Sequence, residues 1–349
     1  MNGQTATFAS VRNLKKLFPL RRGLADFLAG REPRYVRAVD GVDFDIGRKE
    51  VFVVVGESGC GKTTTAKLLL GALRPDEGQV MVDGKNIANL HGAELKAFRR
   101  EAQMIFQDPY SSLDPRMTVL DSLTEPLVVH GITKNFDERR EAAVQAMEEV
   151  KLTPPEDFLQ RYPHMLSGGQ RQRLAVARAL ILKPKLIVAD EPVSMLDLSI
   201  RAEILELLQT IRDKHGVTYF YITHDLSTAR YVGDTIAIMY LGKIVEIGPA
   251  EAVLSKPLHP YTQALMDAVP EPDPSSRHRQ RTVRIRGEVP SAIEIPAGCR
   301  FHTRCPYVMD ICKIKEPPLL QVEAGHPTAC HLYPEGKTLS LTLSPTKVG

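Results

Sequence analysis

The densest chemistry in the chain lies in Gly56-Glu57-Ser58-Gly59-Cys60-Gly61-Lys62-Thr63, which fits the pattern G-x-x-x-x-G-K-[ST]. Glycines let a backbone wrap closely around phosphate oxygens at angles a side chain forbids. Loop N–H groups and a following helix N-terminus present partial positive charge to the anion. Lys62 is placed to reach β- and γ-phosphates, the Thr63 hydroxyl to hold Mg²⁺, and Thr64 to continue the cradle into the helix. A second constellation is the adjacent pair Asp190-Glu191 after the apolar run Leu186-Ile187-Val188-Ala189. Hard carboxylate oxygens suit a Mg²⁺ shell, which assigns Asp190, and a neighbouring carboxylate can polarise an attacking water, which assigns Glu191 as general base. Gln107 stands at the end of a short apolar run, and His224 follows another, where a lone histidine reads equally as a satisfied core residue.

These residues need a scaffold, and the pattern supplies one. The β-branched run at 51–55 predicts a buried strand before the glycine loop, and residues 64–73 a helix after it. Strands are expected at 8–18, 36–46, 78–82, 104–106, 186–189 and 218–222, with two more around Gly242 between 234 and 247. Helices are expected at 91–101, 171–182 and 199–214. A mostly helical stretch over 118–183 is broken by Pro126, Gly131 and Pro154-Pro155. Strands alternating with helices predict an α/β fold with a parallel sheet and phosphate chemistry at the strand C-termini. Residues 19–34 read as an inserted loop whose Arg21, Arg22, Arg31 and Arg34 are solvated or face a headgroup or partner.

Composition narrows the class. With 43% hydrophobic and 25% charged residues among 349, the chain can bury one large or two modest cores. A net charge of +3 is too small to argue for nucleic acid. No apolar run approaches the ~18 residues that cross a bilayer, and the first residues lack the layout of a secretion signal. A cytosolic chain is therefore expected, with any membrane role coming through partners. Four of the five cysteines, Cys299, Cys305, Cys312 and Cys330, crowd the last part of the chain. In a reducing compartment such a group points to metal binding before disulfides. Pro270, Pro272 and Pro274 form a stiff connector, followed by a basic run over 277–286. The tail beyond has little apolar periodicity and is too small to bury much, so a metal staple makes physical sense.

Taken together these motifs resemble the nucleotide-binding subunit of an ABC transporter over residues 8–260. Leu166-Ser167-Gly168-Gly169-Gln170 looks like the ABC signature, Leu186 to Asp190 like the Walker B strand, and Ser194-Met195-Leu196-Asp197 like the D-loop, with Met195 where the family often has alanine. Gln107 and His224 fall where the Q-loop glutamine and switch histidine belong. The resemblance implies an ABC-type P-loop domain at 1–260 with a RecA-like core, an antiparallel β subdomain and a helical signature subdomain at about 108–183. It implies ATP and Mg²⁺ as ligands, Mg²⁺ being held by Thr63, Gln107 and Asp190. It also implies a head-to-tail sandwich in which Ser167, Gly168, Gly169 and Gln170 meet ATP held by the opposite subunit. Phe18 is the expected adenine-stacking residue, with Tyr35 the alternative.

The tail resembles the C-terminal region of oligopeptide/dipeptide (Dpp/Opp) importer ATPases, through Pro257-Leu258-His259-Pro260-Tyr261-Thr262, Gly298-Cys299, Arg304-Cys305-Pro306, Cys312 and Ala329-Cys330-His331. It defines the second expected region, 261–349. Some members of that group hold a [4Fe–4S] cluster through four such cysteines. The intervening spacings of five, six and seventeen residues match neither paired C-x-x-C zinc ribbons nor the tight ferredoxin run. Zinc and free thiols remain the alternatives, and His302, His326 and His331 could substitute as ligands. The resemblance implies an ATPase powering peptide import from the cytoplasmic face of the membrane, bound peripherally. Expected partners are a second similar ATPase, two permeases docking around residues 108–116, an extracytoplasmic solute-binding protein, and no nucleic acid. Nickel or oligosaccharide cargo, or a non-transport ABC ATPase, are the alternatives.

Overall fold

In a computed structural model the chain is described at residues 6–20, 32–133, 135–268, 285 and 287–334, the Ser111 side chain excepted. The connector prolines 270, 272 and 274, most of the basic run at 277–286, and Arg21, Arg22 and Arg31 lie outside the described residues.

Strands β1 (Thr7–Pro19) and β2 (Tyr35–Gly47) pair antiparallel, with Phe18 opposite Val36, so residues 19–34 join the two ends of one hairpin. Next come β3 (Val51–Val55), β4 (Glu77–Val82), β5 (Lys85–Asn86), β6 (Ala102–Ile105), β7 (Leu186–Asp190) and β8 (Thr218–Thr223). The chain closes with β9 (Thr235–Tyr240), β10 (Lys243–Pro249), β11 (Leu320–Glu323) and β12 (His326–Thr328). A four-stranded antiparallel sheet has the order β2-β1-β4-β5, and a larger sheet the order β11-β12-β10-β9-β3-β8-β7-β6. Within the larger sheet β9, β3, β8, β7 and β6 run parallel. This is the mixed α/β architecture expected of an ABC ATPase.

The central strands are apolar throughout because both of their faces are covered. Val51, Val53 and Val55 of β3 point into one core with Ile187, Ala189, Tyr219 and Tyr221, under the helices. Phe52 and Val54 point into the other with Val188, Phe220 and Ile222, under the antiparallel sheet. The period-two alternation thus splits one strand between two cores. Phe44 of β2 stacks on Phe52 with ring centroids 4.9 Å apart, which holds the small sheet against the large one.

Between β6 and β7 the chain is helical, at Val119–His130, Phe136–Glu149, Glu156–Leu159 and Gly168–Leu180. The stops and starts follow local chemistry. Thr118 and Asp121 close a capping box, Gly131 ends its helix at φ 66°, and Asn135 caps the next. Pro126 lies inside the first helix without ending it.

The tail departs from expectation. It does not stand apart as a segment short of burial. Its strand β12 pairs with β10 and extends the large sheet, with β11 outside it. Phe301 packs against Tyr240 and Tyr261, centroids 5.3 and 5.4 Å away. Glu246 of β10 is wholly buried and accepts hydrogen bonds from the N–H groups of Leu258 (2.8 Å) and His259 (2.9 Å), while His326 Nε2 lies 2.7 Å from it. The segment gains its core by borrowing that of the parallel-sheet domain, a long-range pairing that a short sequence window does not carry.

Buried His259 accepts from the Tyr261 N–H through Nδ1 (3.0 Å), and burial holds its pKa down at about 4 against the pull of Glu246. An unfolded histidine takes its proton near pH 6.5. Between those values the unfolded chain binds the proton and the folded chain does not, so stability rises with pH. Stability is therefore expected to be full above about pH 6.5 and to fall toward pH 4, by at most ~1.4 kcal/mol per unit from this group. Urea melts at pH 7 and pH 5 check it: His259→Asn keeps an acceptor but does not titrate, so its loss of stability across that interval should be smaller.

Candidate active site

The site forms where the parallel strands end. β3 runs into the glycine loop and the helix Lys62–Leu69, β6 leads to Gln107, β7 delivers Asp190 and Glu191, and β8 delivers His224. All four carboxyl ends open on one cleft of about 850 Å³. Its wall includes Gly56 to Gly59, Gly61 to Thr64, Gln107, Asp190, Glu191 and His224, with Phe18, Val36 and Ala38 from the β1–β2 hairpin. Of the two aromatic candidates, Phe18 lines this cleft and Tyr35 is not among its lining residues.

Two glycines of the loop have no room for a side chain. A Cβ on Gly56 would lie 2.2 Å from the Met239 carbonyl oxygen, and one on Gly61, at φ 111°, would lie 2.1 Å from that of Ala38. The loop is thus pressed onto β9 and β2, and only glycine permits it. Lys62 is 7% exposed, and its ammonium donates to the carbonyls of Gly56 (2.6 Å) and Glu57 (3.1 Å). It spans the loop as a strut with its charge at the cleft floor.

Thr63 Oγ1 donates to Asp190 Oδ2 at 2.9 Å. Burial pushes the Asp190 carboxyl up, the Thr63 hydrogen bond pulls it down, and neighbouring Glu191 raises it again. Beside it, Glu191 Oε2 accepts from Gln107 Nε2 (3.1 Å) and lies 3.1 Å from His224 Nδ1. The glutamine and the histidine, from different strands, thus meet on one carboxylate oxygen. Glu191 holds φ at 46°, a left-handed conformation unfavourable for a side-chain-bearing residue. Its N–H donates to the Ile222 carbonyl (2.9 Å) and its own carbonyl accepts from Ser194 N–H (3.2 Å) and Oγ (3.0 Å), so neighbouring backbone locks the turn.

Cys60 behaves differently from the rest of the loop. Its side chain lies in the core beneath the small sheet, 3% exposed, and burial raises its thiol pKa. It contributes backbone to the loop and no side chain to the cleft. Ser167, Gly168, Gly169 and Gln170 also lie outside this cleft. They open the helix Gly168–Leu180, where Ser167 Oγ accepts from the Gln170 N–H (3.2 Å) and Gln170 Oε1 from the Ser167 N–H (3.0 Å). One chain therefore holds both halves of the expected site but does not bring them together.

Beyond Val36 and Ala38, three residues from past position 260 were not anticipated at the cleft. Leu265 lines it, Tyr261 accepts the Glu57 N–H on its hydroxyl (3.0 Å), and Arg304 makes a two-pronged ion pair with Glu57 (2.8 and 3.1 Å). Tyr261 and Arg304 stand in stretches that mark the tail, but nothing in those stretches points to the phosphate loop.

The four tail cysteines are free thiols and come within electrostatic reach of one another. Cys330 feels Cys299, Cys305 and Cys312, and Cys299 and Cys305 each feel Cys312. Burial, the leading cause, pushes Cys299 up to about 11, Cys305 up to about 12, and Cys330 upward as well. Among the described residues no group of three or more His, Cys, Asp or Glu is arranged to hold a metal ion, and no helix is long and apolar enough to cross a membrane.

Comparison with known proteins agrees with this geometry. The family profile "ABC transporter" matches residues 39–194, and "Oligopeptide/dipeptide transporter, C-terminal region" matches residues 245–312. The oligopeptide transport ATP-binding protein AppF of Bacillus subtilis is 42% identical over 94% of this chain and 98% of its own length. "Probable peptide ABC transporter ATP-binding protein y4tS" of Sinorhizobium fredii is 45% identical over 92% of this chain and 89% of its own. Among solved structures, the dimeric post-hydrolysis state of the ATP-binding cassette MJ0796 with ADP and Pi is 30% identical. It superposes with a TM-score of 0.59 over 69% of this chain and 98% of that one. The strand-end cleft, the glycine loop and these full-length relatives lead to one conclusion: the chain belongs to the ABC transporter family, as an ATP-binding, ATP-hydrolysing subunit of its oligopeptide/dipeptide importer group.

Proposed function

We propose that this chain powers the import of di- and oligopeptides from the cytoplasmic face of the membrane, peripherally bound and paired with a second, similar ATPase. The observation that carries the ATP-hydrolysing part of the reading is the meeting of Gln107 and His224 on Glu191, beside the Thr63–Asp190 pair and under the phosphate loop. Lys62 and the loop N–H groups bind the ATP phosphates, and Phe18 stacks on the adenine. Thr63, Asp190 and Gln107 offer hard oxygens for Mg²⁺, and the buried carboxylate of Asp190 suits a divalent cation. Mg²⁺ supplies positive charge to the phosphates when bound. Glu191 takes a proton from the attacking water, Gln107 orients that water, and His224 steadies the γ-phosphate end.

The signature residues Ser167 to Gln170 serve the partner's nucleotide, which accounts for their distance from this chain's own cleft. Residues 1–260 form the ATPase unit, with the helical part at about 108–183, and 261–349 the importer-type tail. Two permeases dock beside Gln107, where the helix Pro109–Ser112 presents Tyr110, 64% exposed, against the Arg171 guanidinium 3.6 Å from its ring centre. An extracytoplasmic solute-binding protein delivers the peptide. The peptide cargo rests on the names of relatives such as AppF and y4tS. Uptake of labelled di- and tripeptides by cells lacking this chain tests it. Loss of uptake, restored by the intact chain, supports peptide cargo, whereas unchanged peptide uptake with lost nickel or oligosaccharide uptake overturns it.

We further propose that Cys299, Cys305, Cys312 and Cys330 hold a [4Fe–4S] cluster of structural role. Residue type and number support it, four free thiols being one per iron. Among the described residues they are not gathered into a metal-holding group, so binding requires them to close in. Anaerobically purified protein is then expected to contain iron and sulfide in equal amounts, with both lost in Cys305→Ser. Zinc or no metal overturns the cluster and leaves the ATPase reading intact.

A further inference from the structure

Glu57 is an unusual residue for an anion cradle. Glu57 belongs to the phosphate loop and is among the residues that line the cleft. A free carboxylate beside the loop would repel the nucleotide phosphates. The structure shows how that charge is handled. Arg304 Nη1 donates to Glu57 Oε2 at 2.8 Å and Nη2 to Oε1 at 3.1 Å, the parallel fork of a bidentate pair. Arg304 is 7% exposed, and its guanidinium lies 5.8 and 6.0 Å from the ring centres of Tyr240 and Phe301. Those rings limit where it can move.

Two more contacts fix the same residue. The Glu57 N–H donates to the Tyr261 hydroxyl, and the Glu57 carbonyl accepts from Lys62. Side chain, N–H and carbonyl are therefore each held by a different partner. On the nucleotide reading Lys62 is drawn to phosphates and away from the carbonyl, which the Cys60 N–H also meets at 3.3 Å. Tyr261 and Arg304, both from the C-terminal region, then remain as holders of the loop.

We propose that Arg304 is a positioning residue of the ATP site, and that with Tyr261 it makes the C-terminal region an integral clamp on the phosphate loop. The clamp cancels the Glu57 charge and keeps the loop in the shape that receives phosphates. The same region is anchored nearby by the Arg300–Asp40 ion pair on β2 and by Lys243–Glu316 at 2.6 Å, so the clamp has a fixed base. The proposal rests on the nucleotide reading of the cleft given above.

The test is equilibrium binding of a fluorescent ATP analogue with Mg²⁺ to the full chain, alongside steady-state kinetics and thermal melts. Arg304→Met, which breaks the fork and uncovers the Glu57 charge, is expected to raise the Kd and KM for Mg·ATP about 10-fold with a smaller change in kcat, and Glu57→Gln, which breaks the fork but removes that charge, to raise them less, about 3-fold. Because the two side chains act as one unit, the double variant should bind no worse than the poorer single variant. Arg304→Lys should recover only part of the loss, since an ammonium lacks the fork. Unmoved nucleotide Kd, with or without a lowered Tm, overturns the proposal, and so does a double variant showing the full product of the single effects. If Arg304→Met fails to fold, Glu57→Gln and Arg304→Lys decide the matter, because both keep the C-terminal packing. Wild-type protein that bound no Mg·ATP would sink the nucleotide reading itself, a result distinct from wild-type binding with unmoved variants.

Discussion

Glu191→Gln lowers the steady-state ATPase rate by about 10²–10⁴-fold while ATP stays bound, the range expected for loss of a positioned general base. The amide is nearly the shape of the carboxylate and can still meet Gln107 and His224, which lie 3.1 Å from Glu191 Oε2 in the intact site. It cannot take a proton from water. Backbone strain at φ 46° is the same in both residues, so folding stability should change little. Loss of turnover at unchanged melting temperature, with slow release of bound ATP, is the expected signature. Turnover at the wild-type rate would remove Glu191 as the base. Glu191→Gly is the informative companion: it loses the base as well but relieves the left-handed strain, so it should be more stable, by at most about 1 kcal/mol. Such a gain in stability at the cost of activity would mark the turn as one held strained for chemistry.

Lys62→Ala should weaken Mg·ATP binding by at least about 100-fold, because one charge-assisted contact to phosphate contributes ~1.5–3 kcal/mol and Lys62 is positioned to make more than one. The loss should exceed that single figure for a structural reason. Lys62 also bridges the Gly56 and Glu57 carbonyls, so its removal loosens the loop as well as discharging the cleft. Lys62→Arg should not rescue, since the buried floor that holds an ammonium at 7% exposure leaves little space for a planar guanidinium. Isothermal titration with Mg·ATP measures both. Near-normal binding by Lys62→Ala would assign the phosphate contacts to backbone N–H groups alone.

Much of the cleft was legible because its signals are local. A β-branched run, a glycine loop and a helix follow one another within about twenty residues at 51–73, and each imposes its own backbone geometry. Asp190, Glu191, Gln107 and His224 could be placed because apolar runs mark strand ends, and in a parallel sheet those ends face one way. The Ser167–Gln170 capping box is likewise a four-residue property. The antiparallel sheet was legible as alternating strands. Its closure onto Phe52 and Phe220 was not, since that packing joins residues far apart in the chain.

What the amino-acid sequence determined by itself is the phosphate-loop pattern and the strand-end carboxylates, on whose residue types and short spacing the proposed cation site and carboxylate base rest. Only the tertiary structure decided which way Cys60 points, that Glu191 sits in a left-handed turn, and that the signature lies away from its own chain's cleft. Only it showed that the cysteine-bearing tail extends the central sheet and grips the phosphate loop. Glu57 meets Arg304 across 247 residues and Tyr261 across 204. Contacts at that separation leave no periodicity in either stretch. They exist because burying Phe301 and Tyr261 against Tyr240 sets the tail beside the phosphate loop.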